Sequence, residues 1–451
     1  MVNILYLHTH DSGRFIEPYG YAIPTPNLMA FAQEGVLFRN GFCAAPSCSA
    51  SRSAMLTGQN PHTAGMIGLA HRGFSLKDPH QHLASYLVDH GYETILCGVQ
   101  HEIASGRETK LGYSHILEYE NPLLFDEPLT PQQELDQRAA QDYANACAAA
   151  DYLHQPKTRP FFLSLGLNAT HFDLPLPASD IDPSYLQPPP TLPDNLITRR
   201  DMAGYHTLAR QADMCLGIVL ESLRQSVYAD NTLVLFTTDH GIAFPWMKCT
   251  LYDTGIGVAL ILRLPSCEHR GRVVDALVSH LDVFPTLCAI TGLPMPAWLE
   301  GHSLIPLIEG QTDKVREEIF AEVTYHAAYE PMRCIRTERY KYIRYFDDFT
   351  DTVKPNIDGS PSKDFLIEHG LRDRPHDPTE MLFDLYFDPS ERANQATNPH
   401  YATVRSDLAN RLQRWMEKTN DPLLQGRVPR PPAAIANRKD GLHPFETDWE
   451  A

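Results

Sequence analysis

Between Cys43 and Gly58 the chain reads C-A-A-P-S-C-S-A-S-R-S-A-M-L-T-G, and in it Cys48, Ser51 and Arg52 head a helix-compatible run that ends at Thr57-Gly58. A thiol at the mouth of a helix lies where unpaired backbone N–H groups favour an anion. An arginine one turn along adds a cation that can grip a tetrahedral oxyanion bidentately. That is the setting of a nucleophile. The other eight cysteines lack such company and read as small buried hydrophobes. Four further stretches carry acid and imidazole groups: His10-Asp11, His101, His171 and Asp239-His240. In a chain with 21 histidines, a single one is more often a cap or a hydrogen-bond partner than a ligand. Two separated Asp/His pairs are a different matter, because a divalent metal needs hard and borderline donors that converge from different elements.

The elements that must position these groups are legible as apolar runs. Ile4 to Leu7 precedes His10, Glu93 to Cys97 precedes His101, Phe161 to Leu165 precedes His171, and Thr232 to Phe236 precedes Asp239. Each polar group therefore falls at the carboxyl end of a strand, where open α/β sheets put their sites. Helical spacing follows Thr25-Pro26-Asn27 as far as Gly35, and again over His82 to His90, around Ala139 to Leu153, and over Met202 to Gln225. Strands alternating with helices predict an α/β fold built on a large, mainly parallel mixed sheet between helices. Past Tyr329 the runs are short and rich in Tyr and Arg, as in Met332 to Ile335 and Arg339 to Tyr345, which suits an antiparallel sheet. An amphipathic helix from Tyr401 to Lys418 follows. The expected division is a catalytic domain over 1–328 and a smaller C-terminal α+β domain over 329–451. The tail from Pro429 is expected to pack on the surface or on a neighbouring copy in a homo-oligomer.

Composition narrows the partners. The 451 residues include 56 acidic and 38 basic side chains, a formal charge of −18, which argues against a nucleic-acid partner because none of the required basic excess is present. An anionic substrate must then be met by local cations. Hydrophobic content of 43% and 21% charged residues are those of a globular chain. No apolar run approaches the ~20 residues that span a bilayer, so no membrane partner is expected. The chain opens on an apolar strand with no basic leader, and its scattered cysteines form no C-x-x-C pair; both features fit a cytoplasmic enzyme with reduced thiols.

These residues resemble the signature of the sulfatase family of the alkaline phosphatase superfamily, C-x-P/A-S-R followed by Leu-Thr-Gly, with Ala50 where most members have proline. His10-Asp11-Ser12-Gly13 resembles the family's Asp-Asp-x-Gly metal tip, Asp239-His240-Gly241 its Asp-Asn-Gly tip, and Lys248 the basic residue that follows. His101 is similar to the histidine of its Gly-Lys-x-His segment, His171 to the one after the middle strand, and Leu382 to Asn394 to a segment of its small domain. Cys48 to Leu69 and Phe236 to Tyr252 are most similar to the N-sulfoglucosamine sulfohydrolase branch. The resemblance implies an alkaline-phosphatase-like sandwich and a hydrolase of sulfate esters or sulfamates, on a sugar. It implies that a formylglycine-generating maturation enzyme converts Cys48 to formylglycine (3-oxoalanine), the nucleophile, beside one divalent metal held by His10, Asp11, Cys48, Asp239 and His240. It also implies that Arg52 helps bind the substrate anion, that His171 and Lys248 serve the leaving group, and that His101 takes the proton that releases sulfate.

Three departures qualify this. His10 replaces an Asp and His240 an Asn, which turns an all-oxygen site into a mixed one and favours manganese or zinc over calcium. Val99 replaces a lysine. The Asp-His tip is shared with phosphonate monoester and phosphodiester hydrolases of the superfamily, the alternative reading. Val99 is the feature that suits a third, a non-catalytic relative that binds anionic glycans.

Overall fold

Nine strands of the computed structural model, which describes residues 1–121, 123, 128–265 and 269–450, make the sheet that carries the site. They are β1 (Asn3–Thr9), β2 (Val36–Phe42), β3 (Glu93–Gly98), β4 (His115–Leu117), β5 (Phe161–Gly166), β6 (Thr232–Thr238), β7 (Gly257–Val258), β8 (Leu260–Arg263) and β9 (Arg272–Ser279). Their order is β4-β3-β5-β1-β6-β8-β2-β7, with β9 paired to β2. From β4 to β6 every pairing is parallel. β8 runs antiparallel to both β6 and β2, so β2 regains the direction of β6, and with β9 parallel to β2 seven strands end at the same edge.

Both faces of this sheet are covered, which is why its strands read as continuous apolar runs and not as alternations. Along β1, Ile4 and Tyr6 join one core cluster and Leu5 and Leu7 the other. Helices Pro26–Glu34, Pro131–His154 and Leu196–Gln225 pack on the Leu5 side. Helices Cys48–Thr57, Leu83–Asp89 and Val283–Thr291 pack on the Ile4 side. The helix expected from Met202 begins earlier, at Leu196, because Asn195 caps it by accepting from the N–H groups of Ile197 and Thr198.

A second, antiparallel sheet follows: β10 (Glu318–Tyr325), β11 (Tyr329–Thr337), β12 (Tyr340–Tyr345) and β13 (Glu380–Asp384), in that order. Its first strand comes from before residue 329. Ile319, Ala321, Met332 and Ile343 pack against Phe42, Leu251 and Val258 of the first sheet's surroundings. The opposite face is covered by the helix Ala402–Lys418 through Leu408, Leu412 and Trp415, and Phe320 stacks on Trp415 at 4.8 Å. The tail is docked on its own chain: Ile435 N donates to Arg72 O at 2.9 Å and Asn437 N to Ala327 O at 2.7 Å, with Ala434, Ala436 and Asn437 buried. Among the described residues no helix is long and apolar enough to cross a membrane.

Candidate active site

β3, β5, β1 and β6 are consecutive neighbours, so the segments that follow them bring His101, His171, His10-Asp11 and Asp239-His240 to one edge. Two of these residues have backbones in the left-handed region, Asp11 at φ +41° and His101 at φ +95°. Such conformations persist where surrounding bonds over-determine them. Asp11 N donates to Asp239 Oδ1 at 2.9 Å, and Gln100 Oε1 accepts from the N–H groups of His101, Glu102 and Ile103 within 2.7–2.9 Å.

β2 leads to the candidate nucleophile, Cys48. Cys48 is the first residue of the helix Cys48–Thr57, all of whose side chains are buried. The N-cap, Ser47, does not cap with its side chain; its Oγ lies 2.9 Å from His326 Nδ1, and the first-turn N–H groups keep their positive field. The motif residues tie this helix to the strand tips. Ser51 Oγ donates to Asp239 O at 2.6 Å. Arg52 donates from Nε to Asp239 Oδ2 (3.2 Å) and from Nη2 to Thr9 O (2.9 Å), with Nη2 also in ion-pair range of Asp239 Oδ2 at 3.1 Å, while Nη1 meets His8 Nδ1. Arg52, expected to help bind the substrate anion, spends most of its donors inside the protein, because a guanidinium 2% exposed must be paired where it is buried. These contacts tie Arg52 to Asp239.

Around Cys48 the acceptors converge. Asp11, Cys48, Asp239 and His240 have ligand atoms within 4.8 Å of one another, and so do His10, Asp11, Cys48 and His171. His240 Nε2 lies 3.3 Å from the Cys48 sulfur, 3.4 Å from Asp11 Oδ1 and 3.7 Å from Asp239 Oδ2. Its Nδ1 lies 3.0 Å from Gly241 O, and a proton assigned there turns the Nε2 lone pair toward the carboxylates. Both ring nitrogens of buried His10 lack a hydrogen-bond partner, although Nδ1 is 3.4 Å from Asp239 Oδ2. Two carboxylates and unpartnered imidazole nitrogens facing one point make a donor set that fits a divalent cation.

Electrostatics separate the roles. Burial pushes the Cys48 thiol well above its usual pKa, with Asp11 and Asp239 adding to the shift and Lys248 opposing it. An unmodified thiol there stays protonated and is a poor nucleophile. Lys248 Nζ lies 3.1 Å from Asp11 Oδ2 and 2.9 Å from Asp358 Oδ2. Burial works against its charge, but Asp11 and Asp358 outweigh it and hold the ammonium well above its ordinary pKa; it is a fixed cation rather than a proton donor. Burial, reinforced by Arg52, lowers His101 to about 3, so at neutral pH it is an acceptor. His171 Nδ1 faces Phe172 O, and its ring centroid lies 5.3 Å from that of His10.

Sequence reading missed four residues. Asp358 holds Lys248, and His326 holds the N-cap; both come from the C-terminal part of the chain, and nothing local marks them, since Asp358-Gly359 reads as a turn. Glu102 is 2% exposed and burial raises its pKa to about 7 against the pull of Arg52. His71, exposed on the loop after Leu69, is close enough to feel His171 and Lys248.

The comparison with known proteins matches this site. A model of the family described as Sulfatase covers residues 3–293. The chain belongs to the sulfatase family. As a sulfatase it is a sulfuric ester hydrolase, and residues 240–355 match the family described as N-sulphoglucosamine sulphohydrolase, C-terminal. It is 29% identical to an ulvan-active sulfatase of Formosa agariphila over 90% of this chain and 78% of that one. It is 27% identical to human N-sulphoglucosamine sulphohydrolase over 93% of this chain and 91% of that one. The fold is similar to that of a phosphonate monoester hydrolase of Agrobacterium radiobacter, with a TM-score of 0.72 and 22% identity over 96% of this chain and all of the other. The sandwich with its second antiparallel sheet is thus the alkaline-phosphatase-like architecture the resemblance implied.

Proposed function

We propose that this sulfatase hydrolyses sulfate esters or sulfamates on a sugar, with Cys48 matured to formylglycine and one divalent metal beside it. The observation that carries the reading is the convergence of Asp11, Asp239 and His240 on Cys48 at the head of a buried helix, with Lys248 as a charge-fixed cation on the same carboxylate. Ulvan and N-sulfoglucosamine in the names of the relatives support a sulfated glycan as substrate.

His10, Asp11, Asp239 and His240 would hold the metal, which supplies a Lewis acid for the substrate's oxygens. Formylglycine, made from Cys48 by a maturation enzyme, supplies as its hydrate the attacking hydroxyl. The remaining steps belong to side chains. His101, neutral at working pH, accepts the proton of the hydrate's second hydroxyl, so that the carbonyl re-forms, the C–O bond to sulfate breaks and sulfate leaves. His171 hands a proton from Nε2 to the leaving oxygen or nitrogen, and Lys248 offsets the charge that develops there. Arg52 and Ser51 keep Asp239 in place.

Intact-mass measurement of protein co-expressed with a formylglycine-generating enzyme, with parallel rates on 4-nitrophenyl sulfate and a phenyl phosphonate ester, tests the reading. A sulfur-for-oxygen loss at Cys48 and faster sulfate turnover are expected. A faster phosphonate reaction would move the assignment to the phosphonate and phosphodiester hydrolases, for which His240 speaks. Unmodified Cys48 with no turnover would leave the glycan-binding reading. Elemental analysis is expected to return manganese or zinc at one equivalent; stoichiometric calcium would remove the imidazoles from the ligand set.

A further inference from the structure

Downstream of β6 the turn Phe244 to Thr250 faces two ways. Lys248 points at Asp11 and Asp358, and Cys249 N donates to Pro46 O at 2.8 Å, which ties the turn to the segment before Cys48. Two residues ahead of Lys248, Trp246 has φ +60°, a left-handed backbone that a bulky side chain adopts only where its surroundings impose it. Trp246 is partly buried, and the Arg374 guanidinium lies 5.3 Å from its ring centroid.

Trp246, Tyr252, Arg374 and Asp377 wall a cavity of 420 Å³. The same four residues also wall a smaller inner cavity of 60 Å³, whose lining includes Lys248 and Asn356. The larger space therefore adjoins the cavity that Lys248 lines and is of the size of small-molecule pockets, ~300–1,000 Å³. On one wall the charge is balanced: Arg374 Nη2 donates to Asp377 Oδ1 at 2.9 Å, and Tyr252 OH to Asp377 Oδ2 at 2.9 Å. The walls offer aromatic faces, this Arg/Asp/Tyr set of donors and acceptors and, in Arg392, a cation that meets the Pro190 carbonyl and no carboxylate among the described residues. That is the chemistry that recognises a hydroxylated pyranose ring, whose C–H face lies on an aromatic plane and whose hydroxyls take hydrogen bonds from the rim.

We propose that this cavity is a sugar subsite, in which Trp246 stacks the ring next to the sulfated one, so that the preferred substrate is a glycan of two or more sugars. This rests on the sugar sulfatase reading above. Disaccharides, their sulfated monosaccharide units and 4-nitrophenyl sulfate, offered to the matured enzyme as a panel of amino-sugar N-sulfates and 6-sulfates, test it. The expected result is a kcat/KM at least tenfold higher on the best disaccharide than on its monosaccharide, carried by KM. In Trp246→Ala that ratio is expected to fall close to one, and in Trp246→Phe to keep most of its value. A ratio that Trp246→Ala leaves intact overturns the proposal. A second arm does not need turnover: the unsulfated disaccharides are titrated into Cys48→Ala protein while tryptophan fluorescence is read, with Cys48→Ala/Trp246→Phe as the comparison. A saturable change that disappears with Trp246 upholds the subsite even if no sulfate is hydrolysed and the function reading fails. Turnover of sulfate with neither the ratio nor the fluorescence change leaves the sulfatase reading standing and the subsite refuted.

Discussion

Three cationic or basic side chains around Cys48 do different work because their surroundings differ. Lys248 is locked between Asp11 and Asp358, Arg52 is locked onto Asp239, and His101 is kept neutral by burial. Lys248→Met is expected to lower kcat by about 10²–10³-fold, the scale of losing one preorganised charge partner at the reacting atoms, while initial-rate measurements find no loss of the acid limb, since Lys248 stays charged throughout the working range. Glu102 makes a prediction about stability. Its folded pKa of about 7 lies above the ordinary value of 4.5, so between these values the folded state binds more protons than the unfolded one. Stability is then fully present below about 4.5 and falls as pH rises to 7. The size is on the order of 3 kcal/mol at one unit per 1.36 kcal/mol. Urea unfolding at pH 5 and pH 7.5 measures it, and Glu102→Gln is expected to flatten the difference; an unchanged slope would show that Glu102 does not carry it.

Among the elements, the segment between Lys354 and Lys363 decides how firmly Asp358 meets Lys248. Lys363 is fully buried, and its ammonium donates to Lys354 O at 3.0 Å, Ile357 O at 2.6 Å and Leu442 O at 2.6 Å. It clamps the turn that presents Asp358 and fastens the C-terminal tail to it. Lys363→Met would strand these carbonyls without a donor, at about 1–3 kcal/mol for each buried group left unpaired. Thermal scanning should register a fall in Tm of several degrees, and steady-state kinetics a drop in kcat as Asp358 loosens from Lys248. A variant that kept both would show the clamp to be idle. The helix Cys48–Thr57 is the other controlling element. Ser51 and Arg52 reach Asp239, so the motif's fixed spacing is that of a helix turn presenting two donors to one strand tip.

At the scale of the molecule, the two sheets share a core. Phe42, Leu251 and Val258 pack with Ile319, Met332 and Ile343, and His326 and Asp358 come from the second sheet's side to complete the first sheet's site. The division proposed at 328/329 from sequence texture falls between β10 and β11, which are hydrogen-bonded neighbours. Residues 1–328 produced alone are therefore expected to lack fixed tertiary packing, with far-UV circular dichroism retained and near-UV signal lost. A cooperative thermal transition in that fragment would make the division a folding boundary.

What the sequence by itself determined was local. Apolar runs of strand length followed by Asp and His gave the class of fold and the edge where chemistry gathers, because a strand buried on both faces must be apolar throughout and a polar group can appear only where it ends. Helix spacing likewise set Ser51 and Arg52 on one turn. The tertiary structure alone decided what those groups face. That Arg52 is consumed by Asp239, that Asp358 and His326 enter the site, and that the tail is fastened through Leu442 and Asn437 are all consequences of contacts between segments far apart in the chain. Side-chain charge depends on such neighbours and on burial, to which the residue type at a position is blind.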